Sequence, residues 1–453
     1  MISAYTLSFI IISIIRYWTY QTNYYDFGIF DSAIWQVSRF QLPIIDKGEN
    51  GRIIFGDHFN PSMFLLSPLF WITNKSEVLL IIQTTCVGLA SWIGFIISKH
   101  FTKSKIIQIA LIISFLGFIG TQNALIADIH DSTFATLPLM ICFWALIKKK
   151  WKTFYIALII FTGFKESHAG TTTALGLFIL FTYKKAHLKI ALSTILIGVI
   201  WAVISIKIII PFFSNGIYDY QPDHLIKPID YITNLYNDPL KQKTILISQA
   251  TFGFLPLLYP PSYPLILEHY FTRFVLSDSS NRWDLGFHYN VLLAPILFIS
   301  FLYSMQLFKN KKFQKALPFY AVCIILFVGF YSRFVYHGPI DLVYNKAFYQ
   351  QINNVSYQND FVKLFPTKGL VMTQNDLATR LTHGPSIRLL RKDYKKIHPD
   401  FVILNITPGQ SLNSFTPLSY METIELKNEL LADPNYTVQK MHDQQYLFKR
   451  INQ

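Results

Sequence analysis

In six stretches of this sequence, carboxylates, imidazoles and cations stand at the ends of long apolar runs. The first, "YYDFGIFDSAIWQ" at residues 24–36, sets Asp26 and Asp31 among aromatic and aliphatic side chains. It is followed by "GDHFNPSMFLLSPLFW" with Asp57 and His58, "ADIHDSTF" with Asp128, His130 and Asp131, and "GFKESHAG" with Lys165, Glu166 and His168. "EHYFTRF" then contributes Glu268, His269 and Arg273, and "NRWDLGFHYN" contributes Arg282, Asp284 and His288. Burying such groups costs free energy unless each is paired, hydrogen-bonded or put to use. An ionisable group at membrane depth is a functional hypothesis by default. A carboxylate there can act as general base toward a hydroxyl while Arg, Lys or His neutralises a departing phosphate. The chemistry suggested is transfer from a lipid phosphate.

Each group also has a plainer structural role open to it. Phe27, Phe30, Ile34 and Val37 recur at helical spacing, which predicts a helix lying in the membrane interface. Asp26 then falls where an N-cap belongs, and Asp31 points to another face and meets water. Asp128 and His130 form either a helix-end pair or part of a metal or acid–base site, although two ligands do not make a metal site. Lys165 and Glu166 form either a local ion pair or part of a substrate site. Arg273 and Arg282 either anchor helices at headgroups or grip phosphate, and His288 either caps a helix or moves a proton.

Composition narrows the class. The 453 residues are 52% hydrophobic and only 15% charged, against about 25% charged in ordinary soluble domains. A net charge of +14 would suit nucleic acid, but the lysines fall between apolar runs. The connections "KHFTKSK", "KKKWK", "YKKAHLK" and "FKNKKFQK" carry 14 lysines and no acid. By the positive-inside rule they are cytoplasmic, so the basic balance reports orientation and no nucleic-acid partner is expected. Cys86, Cys142 and Cys323 lie in apolar runs and read as packing residues.

The elements that must position the ionisable residues are apolar helices. Eleven runs are candidate spans: 2–19, 77–98, 105–122, 133–148, 152–166, 169–183, 190–212, 243–259, 262–277, 289–307 and 316–334. The prolines of "LLYPPSYPLI" are expected to turn the chain between two of them. With the lysine loops inside, the N-terminus is cytoplasmic and the ionisable clusters lie outside, together with "FNPSMFLLSPLFW", a second candidate interfacial segment. Residues 1–334 therefore read as a transmembrane domain. From 335 to 453 short strand-like pieces such as "GLVMT" and "DFVILNI" alternate with polar stretches, which predicts a small extracytoplasmic α/β domain. No nucleotide-binding glycine pattern or CxxC is present.

In "YYDFGIFDSAIWQ", "GDHFNPSMFLLSPLFW", "ADIHDSTFATLPL", "GFKES" and "LGFHYNVLLAPILF", taken in that order over residues 1–335, the chain resembles the bacterial membrane-protein family of domain of unknown function 2079, within the GT-C superfamily of glycosyltransferases. The resemblance implies a GT-C-type bundle with interfacial helices and a catalytic acid in its first outer loop, taking sugar from a polyprenyl-phosphate donor. Asp26 is the expected base, with Asp31 next. His58, Asp128, His130, Lys165, Glu166, Arg273, Arg282 and His288 are the expected substrate-binding residues. Asp131 stands where a proline is expected, and Ser167 where a second acid is common, which weakens a metal-binding version of the cluster. No cofactor is expected, and dependence on a divalent metal stays open.

The expectation is thus an inner-membrane glycosyltransferase acting on a hydroxyl of a glycan, lipid or protein on the outer face. The alternatives are a transporter or flippase of lipid-linked sugar, and a noncatalytic membrane scaffold. Transporters commonly hold their charges near the midplane; here they gather at the outer rim.

Overall fold

Glu77–Phe101 shows how the sequence makes a long helix: an uninterrupted apolar run opens on Glu77 and closes on Lys99 and His100. Those charges oppose the helix dipole at both ends. The computed structural model describes residues 1–48, 51–220, 222, 227–308, 311–441 and 444–451, and these are mostly helical. Among them, three segments are long and apolar enough to cross a membrane: Glu77–Phe101, His168–Phe213 and Gln314–Tyr336. Two bent pairs raise this to five, Lys105–Gly117 with Ile119–Ile126 at 45° and Ser280–Asn290 with Leu293–Met305 at 74°. Ile2–Trp18, Asp131–Ile147 and Trp151–Thr162 are apolar but shorter, below the roughly 20 residues a straight crossing needs.

The chain divides into two units. One comprises Met1–Ile12, Phe55–Leu65 and Leu80–Tyr344. Within it the lysine-rich stretch at Lys184 does turn the chain: Lys184 has φ 52°, and the helices His168–Tyr183 and Leu188–Val203 fold back on each other. Gly198 permits this approach, since a Cβ there would lie 2.7 Å from the Ala169 carbonyl oxygen. Small residues allow such backbone contact where lipid offers no hydrophobic drive between helices. The proline-rich stretch forms two short 3-10 turns, Leu255–Leu258 and Pro260–Ser262, before the helix Tyr263–Tyr270.

The other unit is discontinuous and comprises Ser13–Ile54, Leu66–Leu79 and Asn345–Gln453. Its first segment carries a two-strand hairpin, β1 (Ile44–Ile45) and β2 (Arg52–Ile53). Its last segment carries a sheet of β3 (Leu370–Thr373), β4 (Ser386–Leu389), β5 (Phe401–Asn405), β6 (Tyr436–Met441) and β7 (Gln445–Arg450), in the order β4-β3-β5-β7-β6. β3 pairs in parallel with both β4 and β5, and the remaining pairs are antiparallel. The runs "GLVMT" and "DFVILNI" are β3 and β5, buried by Met372, Val402, Leu404 and Phe448 against Leu426 and Leu430 of the helix Tyr420–Ala432. A capping box of Ser419 and Glu422 fixes the start of that helix.

The first-loop helix is present, as a wide π turn at Tyr24–Gly28 leading into Ile29–Ser38, with Phe27, Phe30 and Ile34 buried. It begins earlier than its expected cap. The N-cap position is Asn23, because Asn375 accepts the Tyr24 N–H with its carbonyl (2.8 Å) and the Tyr25 N–H with its side chain (3.2 Å). Asp26 therefore sits within the turn, exposed, with no partner among the described residues.

Candidate functional site

The short segment between the helices Trp151–Thr162 and His168–Tyr183 holds Lys165 and Glu166 at opposite ends of two charge relays. Glu166 is buried; its Oε1 lies 2.9 Å from His58 Nδ1 and its Oε2 accepts the Phe59 N–H at 3.2 Å. Lys165 instead pairs with buried Asp131 at 3.2 Å. The other carboxylate oxygen of Asp131 accepts the Ser132 N–H (2.6 Å), and Ser132 Oγ contacts His168 Nε2 at 3.1 Å. The local Lys165–Glu166 ion pair is thus replaced by two longer-range pairs, which orient both side chains from outside their own loop.

These residues line a cavity of about 470 Å³ together with Arg273, Arg282, Lys207, Glu268, Tyr218, Tyr220 and Tyr289. Arg273 comes from the turn after Tyr263–Tyr270 and is only 5% exposed. Its guanidinium centre lies 5.5 Å from the Tyr289 ring, and that of Arg282 lies 5.2 Å from Tyr220 and 5.7 Å from Tyr289. Neither arginine forms an ion pair with a carboxylate among the described residues. Glu268 is held by the hydroxyls of Thr171 (2.9 Å) and Thr272 (2.8 Å). Tyr220 stacks on His58 with centroids 4.5 Å apart and donates its hydroxyl proton to Asp57 at 2.8 Å. Burial first, and Asp57 beside it, push the Tyr220 phenol pKa well up, so it remains a neutral donor.

The remaining sequence-expected residues adjoin one another. Asp128 adopts φ 62°, and Gln83 clamps the backbone around it, donating to the Asp128 carbonyl and accepting the His130 N–H, both at 2.8 Å. His130 stacks on His288 at an interplanar angle of 12°. So His58, Lys165, Glu166, Arg273 and Arg282 share one cavity, whereas Asp128, His130 and His288 are buried outside its lining. Lys207 was not among the expected residues, although a lysine inside the apolar run 190–212 is itself a signal. Tyr218, Tyr220 and Tyr289 carry no such signal in their spacing. Among the described residues no group of three His, Cys, Asp or Glu side chains is gathered as for a metal ion.

Over residues 16–447 the chain matches the family described as predicted membrane protein (DUF2079). The chain belongs to that family. No curated protein matches it. The DUF2079 match extends through the second unit, where the other two expected residues lie.

Asp31 does not meet water, as its helical position suggested. Its carboxylate is fully buried, accepts hydroxyl protons from Ser76 (2.7 Å) and Thr382 (2.6 Å), and lies 3.2 Å from His383 Nε2. The partners Thr382 and His383 come from the stretch joining the 3-10 turn Leu377–Arg380 to β4, which covers that face of the helix. Asp31→Ala leaves those donors without an acceptor and is expected to destabilise the protein by about 1–3 kcal/mol. Asp31→Asn, which keeps one acceptor oxygen, is expected to cost less, and Asp26→Asn to leave the thermal midpoint unchanged. Thermal melts of the three variants in the same lipid preparation check this ordering.

Proposed function

We propose that this chain is an integral-membrane glycosyltransferase of the GT-C type, built on about eleven membrane helices in the cytoplasmic membrane of a bacterium. Its N-terminus and lysine loops lie inside and its C-terminal α/β segment outside. The observation that carries the reading is the pair Arg273 and Arg282, cations that line one 470 Å³ cavity with Glu166 and Glu268 yet stand in ion-pair contact with no carboxylate among the described residues. A buried and a half-buried guanidinium, neither in contact with a carboxylate, suit an anion supplied from outside the chain, and their planar donor forks suit phosphate oxygens. Lys207 adds charge at the cavity wall, and Ala202, Ile206 and Leu276 add apolar surface beside it, which suits a phosphate attached to a lipid.

In the reaction we assign, the acceptor hydroxyl oxygen forms a bond to the anomeric carbon of the sugar as the bond from that carbon to the phosphate oxygen breaks. The electron pair leaves on the polyprenyl phosphate, whose charge Arg273 and Arg282 bind. The hydroxyl proton passes to a carboxylate general base; Asp26 is the candidate the family resemblance puts forward, and its carboxylate is exposed and has no partner among the described residues. Asp31, inside the helix Ile29–Ser38, fixes that helix through Ser76, Thr382 and His383. His58, through Glu166 and Tyr220, holds the cavity wall. The acceptor is a glycan, lipid or protein hydroxyl.

The test is turnover of polyprenyl-phosphate sugars with candidate acceptors by protein purified into lipid nanodiscs. Asp26→Asn is expected to lower turnover at least a hundredfold while donor binding is retained; undiminished turnover removes Asp26 as base. A second reading, a flippase for lipid-linked sugar, draws support from the two sharply bent helix pairs, since broken helices line transport sites. Movement of the lipid-linked sugar across the bilayer without bond cleavage would favour it.

A further inference from the structure

We infer that a crevice in the second unit, at the carboxyl ends of β3 and β5, binds a neutral glycan through carboxamide side chains. The topology marks the place. β3 and β5 are parallel neighbours, with β4 on the far side of β3 and β7 on the far side of β5. The chain leaving β3 goes to one side of the sheet and the chain leaving β5 to the other, so a crevice opens where they part. In open α/β sheets this switch point at the carboxyl ends is where ligands bind.

A cavity of about 540 Å³ lies there, walled by Asp376 from the loop after β3 and by Pro408–Ser411, Asn413 and Ser414 from the loop after β5. Its volume falls among small-molecule sites, roughly 300–1,000 Å³. The two loops are joined behind it, the Asn375 N–H donating to the Ser414 carbonyl at 2.9 Å and the Asn375 side chain to the Asn413 carbonyl at 3.0 Å.

The chemistry of the wall selects the ligand. Seven of its seventeen lining residues are asparagine or glutamine, with Arg16 as the single cation and Asp376 as the single carboxylate. A carboxamide offers two donors and an acceptor side by side, which matches the vicinal hydroxyls of a sugar and gives no preference for charge. Arg16 already donates to Gln21 Oε1 at 3.0 Å, and no lysine is present to hold a phosphate. Gln410 gives the clearest sign of an absent partner. Its amide nitrogen donates to the Asn405 and Thr407 carbonyls, both at 2.8 Å, which fixes the amide and leaves its buried Oε1 without a donor. A hydroxyl proton supplies one. Tyr357 lines the same wall beside Tyr20, whose ring Arg380 already covers at 4.4 Å, and Asp376, its pKa pushed up to about 6 by burial, adds an acceptor when ionised. The inference rests on the glycosyl-transfer reading only in calling this glycan the acceptor.

The test uses the full chain in nanodiscs and saturation-transfer NMR against a panel of neutral tri- and tetrasaccharides of glucose, galactose, mannose and N-acetylglucosamine. The inference expects at least one of them to bind. Gln351→Ala combined with Asn413→Ala, two exposed positions on the rim, should weaken that binding at least tenfold. Arg273→Met should leave it unchanged. Binding by no member of the panel, binding indifferent to the double substitution, or displacement of the bound glycan by a nucleotide would each overturn it. Glycan binding without any sugar transfer would refute the enzymatic reading and leave the crevice standing; transfer that is lost in Arg273→Met, with no glycan bound, would do the reverse.

Discussion

Arg273→Met is expected to reduce turnover of lipid-linked sugar a hundredfold or more while leaving the protein as stable as before, or more so. Hydrogen bonds to charged groups contribute about 1.5–3 kcal/mol each. Two of them lost from a bidentate grip on phosphate, at about 1.4 kcal/mol per factor of ten, amount to two orders of magnitude or more. The stability half of the expectation follows from the missing counterion. Removing one member of a buried ion pair is costly because the other is stranded, but Arg273 strands no paired carboxylate, and Glu268 nearby keeps its two threonine hydroxyls. Methionine fills similar space without the desolvation cost of the cation. Lower turnover with an unchanged or raised melting temperature supports an anion site; turnover that survives, or a collapse of the fold, shows that Arg273 serves as a strut.

The second large effect lies in the other unit and falls on stability alone. Asp46, just after β1, is fully enclosed and accepts from the Leu389 N–H (2.7 Å) and from Arg391 (2.6 Å), with Arg388 at 3.6 Å. Burial raises its pKa against the combined pull of Leu389, Arg391 and Arg388. The ion pair therefore contributes little net stability, yet its loss is asymmetric. Asp46→Ala leaves two guanidinium groups and a backbone donor without their acceptor and is expected to cost roughly 3 kcal/mol. Pairing it with Arg391→Met should recover part of that loss, a coupling that a double-mutant cycle measures. Additive losses in the double variant would show that the two side chains act independently.

How much of this was legible in the sequence depends on the distance over which each feature is encoded. Lys165, Glu166, Arg273 and Arg282 were legible because an ionisable residue at the end of an apolar run is conspicuous whatever surrounds it. The helix at 29–38 was legible from the spacing of Phe30, Ile34 and Val37, and β3 and β5 from their β-branched and aliphatic runs. The start of the first-loop helix was not, because Asn375 supplies its first acceptors from a segment far along the chain. Asp31 was misjudged for the same reason: its partner Thr382 lies 351 residues away. Asp46 went unnoticed, since nothing local distinguishes a carboxylate destined for burial from one in a polar loop. Helical period locates a side chain on its own helix and is silent about what will cover it.

The assembly of the second unit from both ends of the sequence has a consequence for biosynthesis. Asp46 emerges from the ribosome 345 residues ahead of Arg391, a delay of roughly 20–70 s at about 5–20 residues per second. During that interval the first loop holds carboxylates shaped for partners that have not been made. A stop between residues 77 and 380 would release a product in which Asp46 lacks Leu389 and Arg391 and Asp31 keeps Ser76 but loses Thr382 and His383. Quality-control proteases would meet such a product as an unfinished second unit, so truncation should reduce cellular abundance even where every membrane helix has been inserted.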